Sequence, residues 1–230
     1  MIVVGATITN FAMADPNLWG SWLKNAEAIK ASHPDVRYFC AIETDKRGLE
    51  PFQPLIDRLT ELGGEYWSYV LDDGRTEVHT KNRVRHICFG RNMIVEYAFT
   101  MQASHILYLD ADCFPPDDIL PKLLETGHPL VASFIPSYCL TGPLDPAYPN
   151  YPMMDTWASA GSLMAAREVY GRIRWRWEWE PEMTDDPCYY HDAKDLLGVH
   201  MRVRKDVVTR HYPEHVVAFE RRGHDAHVER

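Results

Sequence analysis

Apolar and polar positions along this chain switch between a period of two and a period near four, and the switching outlines an architecture. Ile2–Thr9 is β-branched and apolar and predicts a first strand. Leu18–Ser32 sets Leu18, Trp22, Leu23, Ala26 and Ile29 at helical spacing, and His33-Pro34-Asp35 closes the helix. Val36–Ile42 predicts a second strand that runs into Glu43-Thr44-Asp45. Pro54–Leu62 is a short helix stopped by Gly63-Gly64, and Glu65–Leu71 a third strand. Asp72–Arg85 is charged and reads as a loop. Ile87–Thr100 is helical, with Ile87, Ile94, Tyr97 and Ala98 turned inward. An apolar strand at His105–Leu109, a helix at Ile119–Glu125 and a strand at Leu130–Phe134 follow.

The second half is less regular. Ile135–Trp157 holds Pro136, Pro143, Pro146, Pro149 and Pro152 among tyrosines, a long loop of the kind that usually serves function. Ser159–Leu163 leads into an expected helix over Ala165–Ile173. Arg174–Glu180 places Trp175, Trp177 and Trp179 at period two. Asp185–Gly198 is a helix with an acidic start, and Val199–Thr209 a strand that His211-Tyr212-Pro213 ends. This β/α alternation predicts an α/β sandwich with a largely parallel sheet. It is read as a single domain over residues 1–213, with a charged tail over 214–230.

Composition narrows the class. At 230 residues, 46% hydrophobic and 25% charged, the chain is ordinary globular material. No apolar stretch approaches the roughly 18 residues of a membrane span, and MIVVGATITN has neither a basic n-region nor the apolar core of a signal peptide. The five cysteines, Cys40, Cys88, Cys113, Cys139 and Cys188, are odd in number and form no CxxC pair. Free thiols in a reducing, cytoplasmic compartment are therefore expected. A net charge of −9 disfavours a nucleic-acid partner, although Arg172, Arg174 and Arg176 form a local basic stripe.

The candidate chemistry centres on HILYLDADCFPPDD, residues 105–118. An apolar strand ends abruptly in Asp110-Ala111-Asp112. Carboxylates at the C-terminal end of a strand in an open α/β sheet can hold a divalent cation, which in turn holds phosphate oxygens. Thr7–Asn10 and Glu43–Asp45 are polar groups at two further strand ends, and His211 follows the last strand. In a doubly wound sheet such ends meet at one cleft.

Five segments in order resemble a nucleotide-sugar glycosyltransferase of the GT-A fold, closest to the inverting family 2 type. FGRNMIVEYA (89–98) resembles that family's Gly-Arg-Asn helix, and ILYLDADCFPPDDIL its DxD segment. SAGSLMAAREVYGRI (159–173) is similar to its small-residue turn and helix. TDDPCYYHDAKDLLG (184–198) looks like its acidic-pair motif, with Asp185 where the family has Glu, and VRKDVVTRHY like its closing strand and histidine.

The resemblance implies a transferase that moves a sugar, with inversion, from a nucleotide-diphosphate donor, expected to be a UDP-sugar, to a hydroxyl acceptor. It implies Mn²⁺ or Mg²⁺ at Asp112, with Asp110 and His211, to offset charge on the leaving diphosphate. Asp110 would reach the ribose or a metal-bound water, beside Ala111, and Arg91 would lie by the nucleotide. Thr7, Thr9, Glu43 and Asp45 would line the base and ribose pocket, which of them makes the contact being left open. Asp186 would be the general base, with Asp185 second. Trp157, Gly161 and Trp177 would face the acceptor: a glycan, a protein, a small molecule or, less expected, modified DNA. The alternatives are a nucleotidyltransferase, whose Gly-rich phosphate loop ATITNFAMADPN lacks, and a non-catalytic nucleotide-sugar-binding module.

Overall fold

A computed structural model describes residues 1–9, 16–44, 48–71, 80–136, 143–154, 156, 158–179, 182–183 and 185–211. The first half runs β1 (Ile2–Ile8), α1 (Pro16–Ser32), β2 (Val36–Glu43), α2 (Gln53–Glu61), β3 (Glu65–Tyr69), α3 (Thr80–Thr100), β4 (His105–Leu109), β5 (Cys113–Phe114) and α4 (Ile119–Leu124). The second half runs β6 (Leu130–Phe134), β7 (Met153–Met154), β8 (Ser162–Ala166), α5 (Arg167–Tyr170), β9 (Glu178–Trp179), β10 (Glu182–Met183), α6 (Asp185–Leu197), β11 (Arg202–Val208) and β12 (Arg210–His211). Eight strands form one sheet in the order β3-β2-β1-β4-β8-β6-β11-β7. β3, β2, β1 and β4 are mutually parallel, as are β6 and β11. β8 runs antiparallel between β4 and β6, and β7 caps the far edge antiparallel to β11.

The central strands are buried on both faces, which is why β1, β2 and β4 read as nearly unbroken apolar runs. α3 covers β1 and β2 through one row of residues. Ile94 packs where Gly5 has no side chain, and Tyr97 stacks on Phe39 with centroids 4.3 Å apart. α2 ends at Gly63, whose φ of +71° suits glycine, and the amides of Gly63 and Gly64 close the last turn on the carbonyls of Thr60 and Leu59.

Three expectations change. α3 begins at Thr80, inside the segment read as a loop, because a run rich in charged residues hides the apolar spacing of its start. Residues 162–166 form strand β8 and only Arg167–Tyr170 is helical. A short apolar run fits a strand or a helix equally, and here two flanking strands decide it. The proline-rich stretch contains edge strand β7. In the tryptophan stripe Trp175 is buried, Trp177 is partly buried against the core, and the two-residue β9 pairs with β10. The tail over 214–230 lies outside the described residues.

Candidate functional site

The site grows from strand ends. β1 lies between β2 and β4, with Ile8 opposite Ile42 and Gly5 opposite Tyr108, so Thr7, Glu43 and Asp110 emerge at one edge. The strand order turns there, β2 and β3 lying to one side of β1 and β4 to the other. Open α/β sheets bind ligands at such a switch point.

A tight turn splits the two carboxylates of the Asp-Ala-Asp motif. The amide of Asp110 donates to the Gly161 carbonyl and its carbonyl accepts from the Cys113 amide, both at 3.0 Å. Trp22 Nε1 of α1 donates to the Leu109 carbonyl at 3.0 Å and pins the strand end. Asp110 then points toward α3 and accepts from Arg91 Nη2 at 3.1 and 3.3 Å. Asp112 points the other way, where Nε2 of His211 lies 3.3 Å from its Oδ2. Ala111 between them is buried.

Three consecutive residues of α3 set this corner. Gly90 lets β1 approach: a β-carbon there would fall within 3 Å of the Thr7 side chain. Arg91 is only 3% exposed, because it continues the buried row Val84, Cys88, Val95 and Ala98. Its Nη1 donates to Asp185 and, at 2.8 Å, to Asp186. Its guanidinium lies 4.4 Å from the ring centroid of Trp175, which stacks on Tyr189 at 4.0 Å. Asn92 holds the Trp175 backbone by two hydrogen bonds of 2.9 Å.

Asp185 and Asp186 open α6, where a helix N-terminus favours negative charge. Burial pushes the Asp110 carboxyl up, against the pull of Arg91, and raises Asp185 to about 7. Burial opposes the charge on Arg91, but Asp110, Asp185 and Asp186 more than offset it and raise its pKa further. Burial, then Asp112 and Asp110, raise the Cys113 thiol well above its usual range. Three carboxylates thus surround one guanidinium, with Asp112 close by. A surplus of negative charge repels a phosphate unless a cation intervenes.

The residues that fit a cation are Asp112 and His211. Strands β5 and β12 pair with Cys113 opposite His211, and donor atoms of Asp112, Cys113 and His211 lie within 4.8 Å of one another. Carboxylate oxygen and imidazole nitrogen suit Mn²⁺. Asp110 lies outside that trio. Gly161 sits beneath both branches: a β-carbon there would lie 2.7 Å from Cys113 Sγ and 3.4 Å from an Asp110 oxygen.

On the other side of the switch point Thr9 and Glu43 are buried, and Glu43 pairs with His86 of α3 at 2.6 Å. Sequence reasoning missed His86 and Asn92. His86 continues the row Gly90, Ile94, Tyr97 that faces β1 and β2, and that spacing could have flagged it. Asn92 belongs to the Gly-Arg-Asn segment, but its partner is 83 residues away and left no local signal. Asp45 and Trp157 lie outside the described residues.

No protein-family model matches the sequence, and no curated protein does. Solved structures are similar. The mannosyltransferase PcManGT from Pyrobaculum calidifontis, in complex with GDP-Man and Mn²⁺, aligns with a TM-score of 0.60 at 11% identity, over 92% of this chain and 56% of its own. S. aureus TarS aligns at 0.58 and 10%, over 91% of this chain and 36% of its own. The nucleoside-diphosphate-sugar pyrophosphorylase from Vibrio cholerae RC9 aligns at 0.55 and 12%, over 91% and 92%. This chain spans 56% and 36% of the first two. Identities this low carry the fold alone, and a mostly parallel sheet flanked by helices, with its carboxylates at the switch point, has the GT-A fold.

Proposed function

We propose that this chain is a metal-dependent glycosyltransferase that moves a sugar from a nucleotide-diphosphate donor to a hydroxyl acceptor with inversion. The observation that carries the proposal is the pairing of Asp112 with His211 at the switch point, beside a carboxylate cluster that Arg91 only partly neutralises. Mn²⁺ or Mg²⁺ held by Asp112 and His211, with Asp110 adjoining, would supply positive charge against the leaving diphosphate. PcManGT, of the same fold, carries GDP-Man and Mn²⁺, which supports a nucleotide-sugar donor. UDP- and GDP-sugars are the first donors to test, UDP being the expected one.

Thr7, Thr9 and Glu43 are proposed to serve the base and ribose side, the role expected also of Asp45. Arg91 is spent on three carboxylates, so it orients them instead of reaching the nucleotide. Asp186, more exposed than Asp185, takes the acceptor proton, and its contact with Arg91 holds the side chain in place. Gly161 and Trp177 are proposed to serve the acceptor side, the role expected also of Trp157. No helix of the described residues is long and apolar enough to cross a membrane, and the acceptor is proposed to be a hydroxyl of a glycan, protein or small molecule.

Thermal melts with UDP and GDP, with and without Mn²⁺, test this reading. Stabilisation by nucleotide only in the presence of metal is expected, and no nucleotide effect at any metal level would overturn it. The Vibrio cholerae pyrophosphorylase favours a second reading, nucleotidyl transfer to a sugar phosphate, since 92% of its length aligns with this chain. The products separate the two: glycosyl transfer releases a nucleoside diphosphate, nucleotidyl transfer pyrophosphate.

A further inference from the structure

The cation corner holds a donor that an oxygen-and-imidazole site does not require. Cys113 directly follows Asp112 and sits opposite His211 across the β5–β12 pair, so the backbone itself brings thiol and imidazole together. Its Sγ lies 3.8 Å from one Asp112 oxygen while His211 Nε2 lies 3.3 Å from the other. One donor atom from each of the three falls within 4.8 Å of the other two. The thiol is buried, and Gly161 leaves the space it fills. Asp112 and His211 are only partly buried, so an ion can enter from their side.

Oxygen, nitrogen and sulfur together suit zinc-class ions, whose structural and catalytic sites draw on carboxylate, imidazole and thiolate. Mg²⁺ and Mn²⁺ favour oxygen donors. We propose that Cys113 is a third ligand of this centre and that Asp112, Cys113 and His211 together bind a thiophilic divalent ion, Zn²⁺ or Cd²⁺, in competition with Mn²⁺. The inference rests on Asp112 and His211 being the metal-holding pair. Binding forms one metal–sulfur bond and releases the thiol proton to solvent, so no electrons change hands. A thiophilic ion at this position displaces the oxygen-seeking ion of the transferase, and trace zinc acts as an inhibitor.

Titration of the full chain with Cd²⁺ tests the inference through the ultraviolet thiolate-to-cadmium charge-transfer band. One band saturating at one equivalent is expected, absent in Cys113→Ser and retained in Cys188→Ser. His211→Ala should weaken Cd²⁺ binding about tenfold or more, as loss of a metal partner does. A band that survives in Cys113→Ser overturns the assignment. Should that variant not fold, X-ray absorption of the zinc-loaded wild type decides. A sulfur scatterer at about 2.3 Å beside nitrogen and oxygen at about 2.0 Å supports the site, and a shell of nitrogen and oxygen alone overturns it. The transferase reading is judged apart, by Mn²⁺-dependent nucleotide stabilisation of the wild type. A cadmium–thiolate band without that stabilisation sinks the donor reading and keeps the thiol ligand, and the reverse result does the opposite.

Discussion

Asn92 and Trp175 exchange two hydrogen bonds. Asn92 Nδ2 donates to the Trp175 carbonyl and the Trp175 amide donates to Asn92 Oδ1, both at 2.9 Å. The exchange fastens α3 to the segment after α5 and lays the Trp175 ring on the Arg91 guanidinium. Replacing Asn92 by Ala removes both bonds and leaves two backbone groups in search of partners. A loss of about 2–4 kcal/mol is expected, taking roughly 1 kcal/mol per bond and adding the cost of unmet backbone groups. Asn92→Asp keeps the acceptor and loses the donor, so it should fall between Ala and wild type. Urea midpoints measure this, and an unshifted midpoint for Asn92→Ala would remove the clamp from the stability of the fold.

Arg91 is the counter-charge of three carboxylates. Arg91→Met should cost about 3–5 kcal/mol at neutral pH, the scale of a buried charge left without its partner. Arg91→Lys offers one point charge where the guanidinium serves Asp110 on one nitrogen and Asp185 and Asp186 on the other. It should recover only part of the loss. Unfolding at acid pH separates charge from packing. If charge dominates, the Arg91→Met deficit shrinks as the carboxylates take up protons. A deficit that stays constant down to acid pH would mean that Arg91 acts through its volume.

These two residues also show what a reader of the bare sequence can and cannot see. β1, β2, β4 and β6 are legible because a strand covered on both faces is an apolar run with turn residues at each end. The Asp110 and Asp112 pair is legible because it interrupts such a run. Arg91 was half legible. Its spacing from Cys88 and Val95 places it on the buried row of α3, and a buried arginine needs carboxylates, but the sequence does not say which. Strand β8 and the pairs Asn92–Trp175 and Glu43–His86 were not legible. Each depends on a partner far along the chain, and no local spacing encodes it.

Asp186→Asn tests the base of the proposed transfer. The amide keeps the size of the side chain and its contact with Arg91, through its oxygen, yet cannot accept the acceptor proton. Transfer should fall about 10²–10⁴-fold, the range for loss of a general base, while Mn²⁺-dependent donor binding stays near wild type. Asp112→Ala should do the reverse and weaken nucleotide binding itself. Calorimetry of donor binding alongside single-turnover transfer reads both variants. Full transfer by Asp186→Asn would move the base to another residue, with Asp185 next in line.

Asp185 makes stability depend on pH in a stated direction. Burial is the largest influence on its carboxyl and raises it from 3.8 to about 7, against the attraction of Arg91. The folded state therefore holds a proton that the unfolded chain has released between those values. The stabilisation from this group is complete below about pH 4 and declines as pH rises through about pH 7. The slope is bounded at about 1.4 kcal/mol per pH unit for one proton, and sharing of protons with Asp110 flattens it. Asp185→Asn carries no such proton, so its stability relative to wild type should rise steadily across the window. Chemical unfolding of both proteins at several pH values measures the difference. If wild type instead gained on Asp185→Asn as pH rose, attraction to Arg91 would outweigh burial and the sign of the shift would reverse.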